Sequence, residues 1–220
     1  MTLSITEENY LKCIYKLSQT IDDEINTNAI AAELATSPAS VTDMLKRLSE
    51  KKFISYVRYR GVRLTHTGEK YANNLIRKHR LWEVFLVEKL NFKWDEVHDI
   101  AEQLEHVNSD EMTERLDQFL GSPKFDPHGD PIPDKSGKYT SRKQILLSDL
   151  GKGKKGVILA VREHSTVFLQ YLDAHKLNIG ATIEVISMTP YDNSLTIKLG
   201  KDKNLTISHQ VASNLLISSN

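Results

Sequence analysis

Between residues 79 and 106 the chain sets six nitrogen- or oxygen-donor side chains at helical spacing: His79 and Glu83, then His98, Glu102, Glu105 and His106. Residues four apart stand one above the other on a helix, so His79 and Glu83 share a face. His98, Glu102, Glu105 and His106 follow the i, i+4, i+7, i+8 pattern of one face of one helix. Two such helices packed together would gather all six donors in a small volume. Imidazole plus carboxylate, without thiolate, is the ligand set of a first-row divalent ion such as Mn2+ or Fe2+. The competing reading is a solvated helix face that merely carries His and Glu, and it asks for no ion.

Charge distribution favours the ion. Lys and Arg balance Asp and Glu at 29 each over 220 residues, so no global basic field announces nucleic acid. Residues 74–140, however, carry 9 basic against 14 acidic side chains, while 141–220 carry 10 against 6. The length allows two or three small domains, each with a core. A single cysteine, Cys13, excludes an internal disulfide and fits a reducing compartment. There is no run of about 18 apolar residues and no basic-then-apolar leader, so the expectation is a soluble, cytoplasmic protein with no membrane partner.

The N-terminal third reads as a reading head. Residues 4–20 predict a helix with Tyr10, Ile14 and Leu17 in phase and Asn9 beside that stripe. A short helix follows over 26–35, capped by Asn26 or Thr27. Ser37 then caps a helix whose first residue is Pro38 and which buries Val41, Leu45 and Leu48. Small polar residues at such a start let a helix press into the major groove; an ordinary helical hairpin is the alternative. The next stretch argues for the groove. Residues 53–57 and 62–65 predict two strands around a turn, with Arg58, Tyr59, Arg60 and Arg63 on the hairpin. Guanidiniums on a projecting loop suit phosphate, and a helix-turn-helix followed by a basic wing is a winged helix.

A long helix is expected from Thr65 or Thr67 to about Lys89. Its apolar set (Tyr71, Leu75, Ile76, Trp82, Phe85, Leu86, Leu90) exceeds one buried stripe, which points either to a partner subunit or to a broad core. Trp94 is read as opening the second donor-bearing helix, and Ser109 as capping a third that ends near Gly121. Residues 121–140 are loop, in which Asp126-Pro-His128 by itself reads as a surface turn. From Gln144 onward, runs at 156–162, 181–187, 194–199, 204–208 and 214–218, with a helix over 166–175, predict a small β-barrel. Lys152, Lys154 and Lys155 are read as a solvated linker ahead of it.

Taken together, these residues resemble the diphtheria toxin repressor family of metal-dependent transcriptional regulators, including its manganese-responsive members. The likeness is carried along nearly the whole chain by Glu8-Asn-Tyr-Leu-Lys-Cys-Ile-Tyr15, Ser37-Pro-Ala-Ser-Val-Thr42, Arg77-Lys-His-Arg-Leu81, Val97-His-Asp99, Glu105-His-Val-Asn-Ser-Asp110 and Pro127-His-Gly-Asp-Pro-Ile-Pro133. It implies an α+β chain in three parts: a winged helix-turn-helix over 1–73, an all-α dimerisation and metal-binding domain over 74–140, and an SH3-like barrel over 141–220, akin to a small ferrous-transport accessory domain. It implies two ions per subunit, Mn2+ or Fe2+. One would use Glu102, Glu105 and His106, completed from the first helix at Asn9. The other would use His79, Glu83 and His98, with Asp126, His128, Glu163 and His164 as further donors from loop and barrel. The same resemblance implies a homodimer that grips a palindromic double-stranded operator. Asn26, Thr27, Ser37, Pro38, Ala39, Ser40, Thr42 and Asp43 would lie at the groove, and Lys46, Arg47, Arg58, Tyr59, Arg60 and Arg63 at the backbone.

The chain departs from the family pattern at three places. Iron-responsive members have a cysteine at the position of Glu102 and a methionine at that of Asn9; manganese-responsive ones have an aspartate at the latter. Short members place a glutamate where this chain has Lys12, which argues here against their paired-metal site. The resulting ligand set is hard and leans toward manganese. A metallohydrolase and a metal-independent winged-helix adaptor are the alternative functions; the first leaves the winged helix without a role.

Overall fold

The structure is a computed structural model that describes residues 3–21, 23–57, 60–200 and 203–218. It divides into two compact units, the first comprising 1–79, 102–113 and 133–138, the second 80–101, 114–132 and 139–220.

The first unit begins with α1 (Ile5–Ser18), started by a reciprocal capping box between Ser4 and Glu7. Asn26 caps α2 (Thr27–Glu33), and Ser37 caps α3 (Pro38–Glu50), whose proline sits where its missing N–H costs nothing. β1 (Ile54–Val57) and β2 (Gly61–Leu64) pair antiparallel as the wing, and an isolated bridge ties Ile25 to Val62. Gly61, at φ +132°, is required there: a Cβ would lie 2.8 Å from the Ile25 carbonyl oxygen. Leu11, Ile14, Ile30, Val41, Leu45, Leu48 and Val62 form the core. Each such side chain taken out of water contributes about 1.5–3 kcal/mol, enough to fix the angle between α2 and α3. Arg58 and Tyr59, expected at the wing tip, lie outside the described residues.

The long helix α4 (His66–Leu90) contributes to both units. So do the two short ones after it, α5 (His98–Leu104) and α6 (Asp110–Phe119). α5 starts later than the sequence predicts. Residues 94–97 are turns instead, closed by Glu96 N to Lys93 O at 3.0 Å, and the Trp94 carbonyl is taken by His128 Nε2 at 2.8 Å. α5 also ends earlier, so Glu105 and His106 fall in the turn beyond it rather than on its face.

In the second unit, β3 (Ile145–Leu146), β4 (Lys155–Val161), β5 (Thr182–Met188), β6 (Leu195–Leu199), β7 (Lys203–Ile207) and β8 (Leu215–Ile217) form one antiparallel sheet in the order β3-β8-β4-β5-β6-β7. α7 (Thr166–His175) and the one-turn α8 (His209–Ala212) close over the core of Leu147, Ile158, Leu169, Leu172, Ile197 and Leu215. Lys155 is not linker: it opens β4, with Nζ 3.4 Å from Glu184 Oε2. Against β4 lies the loop 125–131, where Gly129 at φ +87° presses so close that a Cβ would stand 2.1 Å from the Leu159 carbonyl oxygen. Arg142 staples this approach by donating to the carbonyls of Gly129 and Leu159, both at 2.5 Å. No described helix is long and apolar enough to cross a membrane.

Candidate metal centres and nucleic-acid interface

The six phased donors divide between the units, His79, Glu102, Glu105 and His106 in the first, Glu83 and His98 in the second. In the first unit Glu105 is the hub. It is fully buried, and its Oε2 accepts from Lys12 Nζ at 2.5 Å and from His79 Nδ1 at 2.6 Å. Burial pushes its pKa up, but His79 and Lys12 outweigh that and hold the carboxyl below its ordinary value. The same burial lowers the Lys12 ammonium, which also lies 4.0 Å from Glu102 Oε1. Glu105 Oε1, by contrast, is buried without a hydrogen-bond partner, and so is Asn9 Oδ1 on α1. An orphaned buried acceptor costs about 1–3 kcal/mol, a cost that a bound cation would remove. His106 Nε2 sits 4.0 Å from that Glu105 oxygen, and its Nδ1 donates to Glu8 Oε2.

In the second unit Glu83, Asp126 and His128 are all buried, and their ligand atoms lie within 4.8 Å of one another. Asp126 and His128 are therefore no surface turn. Asp126 Oδ1 accepts from the amides of His128 at 2.8 Å and Asp130 at 2.9 Å, which curls the loop and turns the imidazole inward. His128 donates Nε2–H to the Trp94 carbonyl, which leaves Nδ1 facing Glu83 Oε2 at 3.7 Å and Asp126 Oδ1 at 4.0 Å, with no hydrogen bond to either. A nitrogen placed between two carboxylates must carry a proton or meet a cation. Burial opposes the charged ring, but Glu83 and Asp126 prevail and raise His128 to about 9. Asp126 rises to about 7 through burial and the neighbouring Glu83 and Asp130 carboxylates.

Around this group stand side chains that hold it. His98 Nδ1 is 3.5 Å from Glu83 Oε1. Arg80 reaches the Pro131 carbonyl at 2.5 Å and Asp130 Oδ2 at 3.0 Å. The His128 ring stacks with Trp94 and with His164, at centroid distances of 5.9 and 4.7 Å. His164 Nε2 turns to the Val161 carbonyl at 3.3 Å, and burial lowers its pKa. Glu163 spends its carboxylate on Ser165 Oγ at 2.7 Å and Asn214 Nδ2 at 3.4 Å.

The reading head presents what a groove reader needs. Ser37, Pro38, Ala39 and Ser40 are exposed at the start of α3, with Arg47 exposed one face on and Asp43 paired to Lys46 at 3.1 Å. Thr42 is half-buried, its hydroxyl donating to the Pro38 carbonyl. A cavity of about 350 Å³ lies beside this start, lined by Asn26, Thr27, Pro38, Thr42, Tyr56 and Arg60. Arg63 is 3.7 Å from Glu24 and largely exposed. Sequence spacing missed Glu8, Tyr71, Arg80 and Asp130, since each meets its partner across 50 or more residues.

Three family models match the chain in succession: the iron-dependent repressor N-terminal DNA-binding domain over residues 2–62, the iron-dependent repressor metal-binding and dimerisation domain over 65–134, and the FeoA domain over 145–219. A probable metal transport system membrane protein of Chlamydia trachomatis is 47% identical over 75 residues, which cover 34% of this chain and only 17% of that protein. The diphtheria toxin repressor of Corynebacterium diphtheriae is 28% identical over 93% of this chain and 88% of its own length. The structure of the manganese regulator SloR superposes with a TM-score of 0.75 at 34% identity, covering all of both chains. With matched domains in this order and a relative of that identity along its full length, the chain belongs to the diphtheria toxin repressor family of metal-dependent transcriptional regulators.

Proposed function

We propose that this chain is a cytoplasmic, divalent-metal-dependent repressor that binds a palindromic operator as a homodimer and serves metal-ion homeostasis. The observation that carries the metal dependence is that three of the four buried side-chain polar atoms without partners among the described residues, Asn9 Oδ1, Glu105 Oε1 and His128 Nδ1, belong to candidate ligands; the fourth is Asp95 Oδ1. Two ions per subunit follow. Asn9, Glu102, Glu105 and His106 hold the first; Glu83, His98, Asp126 and His128 hold the second. His79 has Nδ1 committed to Glu105, so any ion it serves is met by Nε2. The donors are oxygen and imidazole throughout, which favours Mn2+ and admits Fe2+.

The bound ion supplies positive charge that α1 and the 102–106 segment share. Asn9 brings α1 to that charge, and Glu105 and His106 bring the turn after α5, so the winged helix is held in one orientation. A dimer held in this way keeps both α3 helices one DNA turn apart, and this state binds the ion better. Coupling of this kind changes operator affinity by about 5–150-fold. The three-part plan assigns the reading head to 1–73, pairing and metal to 74–140, and the barrel to 141–220. Fluorescence anisotropy on labelled operator DNA, with and without Mn2+ and then with EDTA, tests the whole. Affinity that ignores all three conditions rejects it.

A further inference from the structure

His106 touches two carboxylates through different ring atoms. Its Nδ1 is bonded to Glu8 Oε2, while its Nε2 lies 4.0 Å from the unpartnered Glu105 Oε1. Glu8 is buried, and its other oxygen is occupied by the Tyr71 hydroxyl, which donates to Oε1 at 2.5 Å. Both oxygens of Glu8 therefore have protein partners, unlike the neighbouring Asn9, whose Oδ1 has none.

A carboxylate can only accept. A neutral imidazole carries one N–H, and the hydrogen bond at one nitrogen decides which nitrogen keeps it. We propose that Glu8 is not a ligand but a positioning residue: it keeps the His106 proton on Nδ1, so that the Nε2 lone pair faces Glu105 Oε1, where the first ion binds. Tyr71 fixes the carboxylate that fixes the ring. Adjacent residues of α1 thus divide the work, because successive helical side chains point about 100° apart: Asn9 offers an oxygen to the ion, and Glu8 orients its imidazole. A carboxylate at the far ring nitrogen also makes the ligating nitrogen more basic. This rests on the reading of Glu102, Glu105 and His106 as metal ligands.

The test uses the full chain with Glu83→Gln as parent, which confines Mn2+ to the first unit. Glu8→Ala, Glu8→Gln and Tyr71→Phe are added singly, with circular dichroism to verify folding. Two readouts are taken: 15N shifts of the His106 ring in the ion-free state, and Mn2+ affinity by calorimetry. The parent is expected to show the Nδ1–H tautomer. Glu8→Ala moves His106 to Nε2–H and weakens Mn2+ about 10–100-fold. Glu8→Gln keeps an acceptor, keeps the tautomer and loses less than Glu8→Ala. Tyr71→Phe falls between the parent and Glu8→Ala in affinity. An Nε2–H ring in the parent overturns the proposal, as does an unchanged tautomer in Glu8→Ala. Affinity lost equally in Glu8→Gln and Glu8→Ala, with the tautomer kept in Glu8→Gln, makes Glu8 a ligand and overturns it too. A parent that binds no Mn2+ defeats the proposed metal site alone, because the tautomer readout needs no ion.

Discussion

Lys12 Nζ and Glu105 Oε2 stand 2.5 Å apart with side-chain exposures of 6% and 0%. A pair so deeply buried is costly to break from one side, since the survivor keeps its charge without a counterion. Lys12→Met leaves Glu105 with His79 alone. The ion-free variant is expected to lose about 3 kcal/mol in denaturant unfolding, the lower end for such a loss. Mn2+ should then stabilise the variant more than it does the parent chain, because the ion restores the missing positive charge. Equal stabilisation of the two would show that Lys12 and the ion do not share Glu105.

The second unit predicts a pH dependence of known sign. His128 is raised from 6.5 to about 9 and Asp126 from 3.8 to about 7, so the folded chain binds more protons than the unfolded one. Stability of the ion-free protein therefore falls as pH rises, from about 4 to 7 through Asp126 and from about 6.5 to 9 through His128. Mn2+ must displace the same protons, so its affinity there rises over that upper window. Calorimetry at several pH values on a Glu105→Gln chain, which isolates this group, measures it; affinity that declines toward pH 9 contradicts the assignment.

Gly129 offers a backbone test. At φ +87°, with the Leu159 carbonyl 2.1 Å from any Cβ, Gly129→Ala must lift the loop from β4. We expect a cost above about 1 kcal/mol and a drop in Mn2+ stoichiometry from two to one per subunit. A folded variant with both ions intact would mean that the loop does not place His128.

On the reading head, Arg60 is exposed at the cavity beside the start of α3, and Arg47 is exposed in the last turn of that helix. Replacing either by alanine should weaken cognate and unrelated DNA alike and reduce the slope of log affinity against log salt by about 0.9. A loss confined to cognate sequence would instead make that arginine a base reader.

Much of the scaffold was legible because its signals are local. Ser37 caps α3 as expected and Asn26, rather than Thr27, caps α2; Pro38 opens α3, and the helix phase placed Val41, Leu45 and Leu48 inside. The donor stretch was legible by residue type, but not in the bounds of the helix that carries its second half. Periodicity assumed one helix from His98 to His106, whereas that helix ends at Leu104, and Glu105 in the turn beyond it meets Lys12, 93 residues away. Asp126 and His128 looked like turn chemistry, and they are; what buries them is β4 and the Trp94 turn, which no spacing along the loop encodes. Glu8 was passed over because its partners, Tyr71 and His106, lie 63 and 98 positions ahead.

The Trp94–His128–His164 stack has a last consequence. An imidazole stacked on two rings and tied at Nε2 to the Trp94 carbonyl resists a change of rotamer, so it follows an ion of the wrong radius poorly. Calibration of size in that pocket falls to the peptide chain itself, and a larger ion such as calcium would have to deform the wall rather than nudge a side chain.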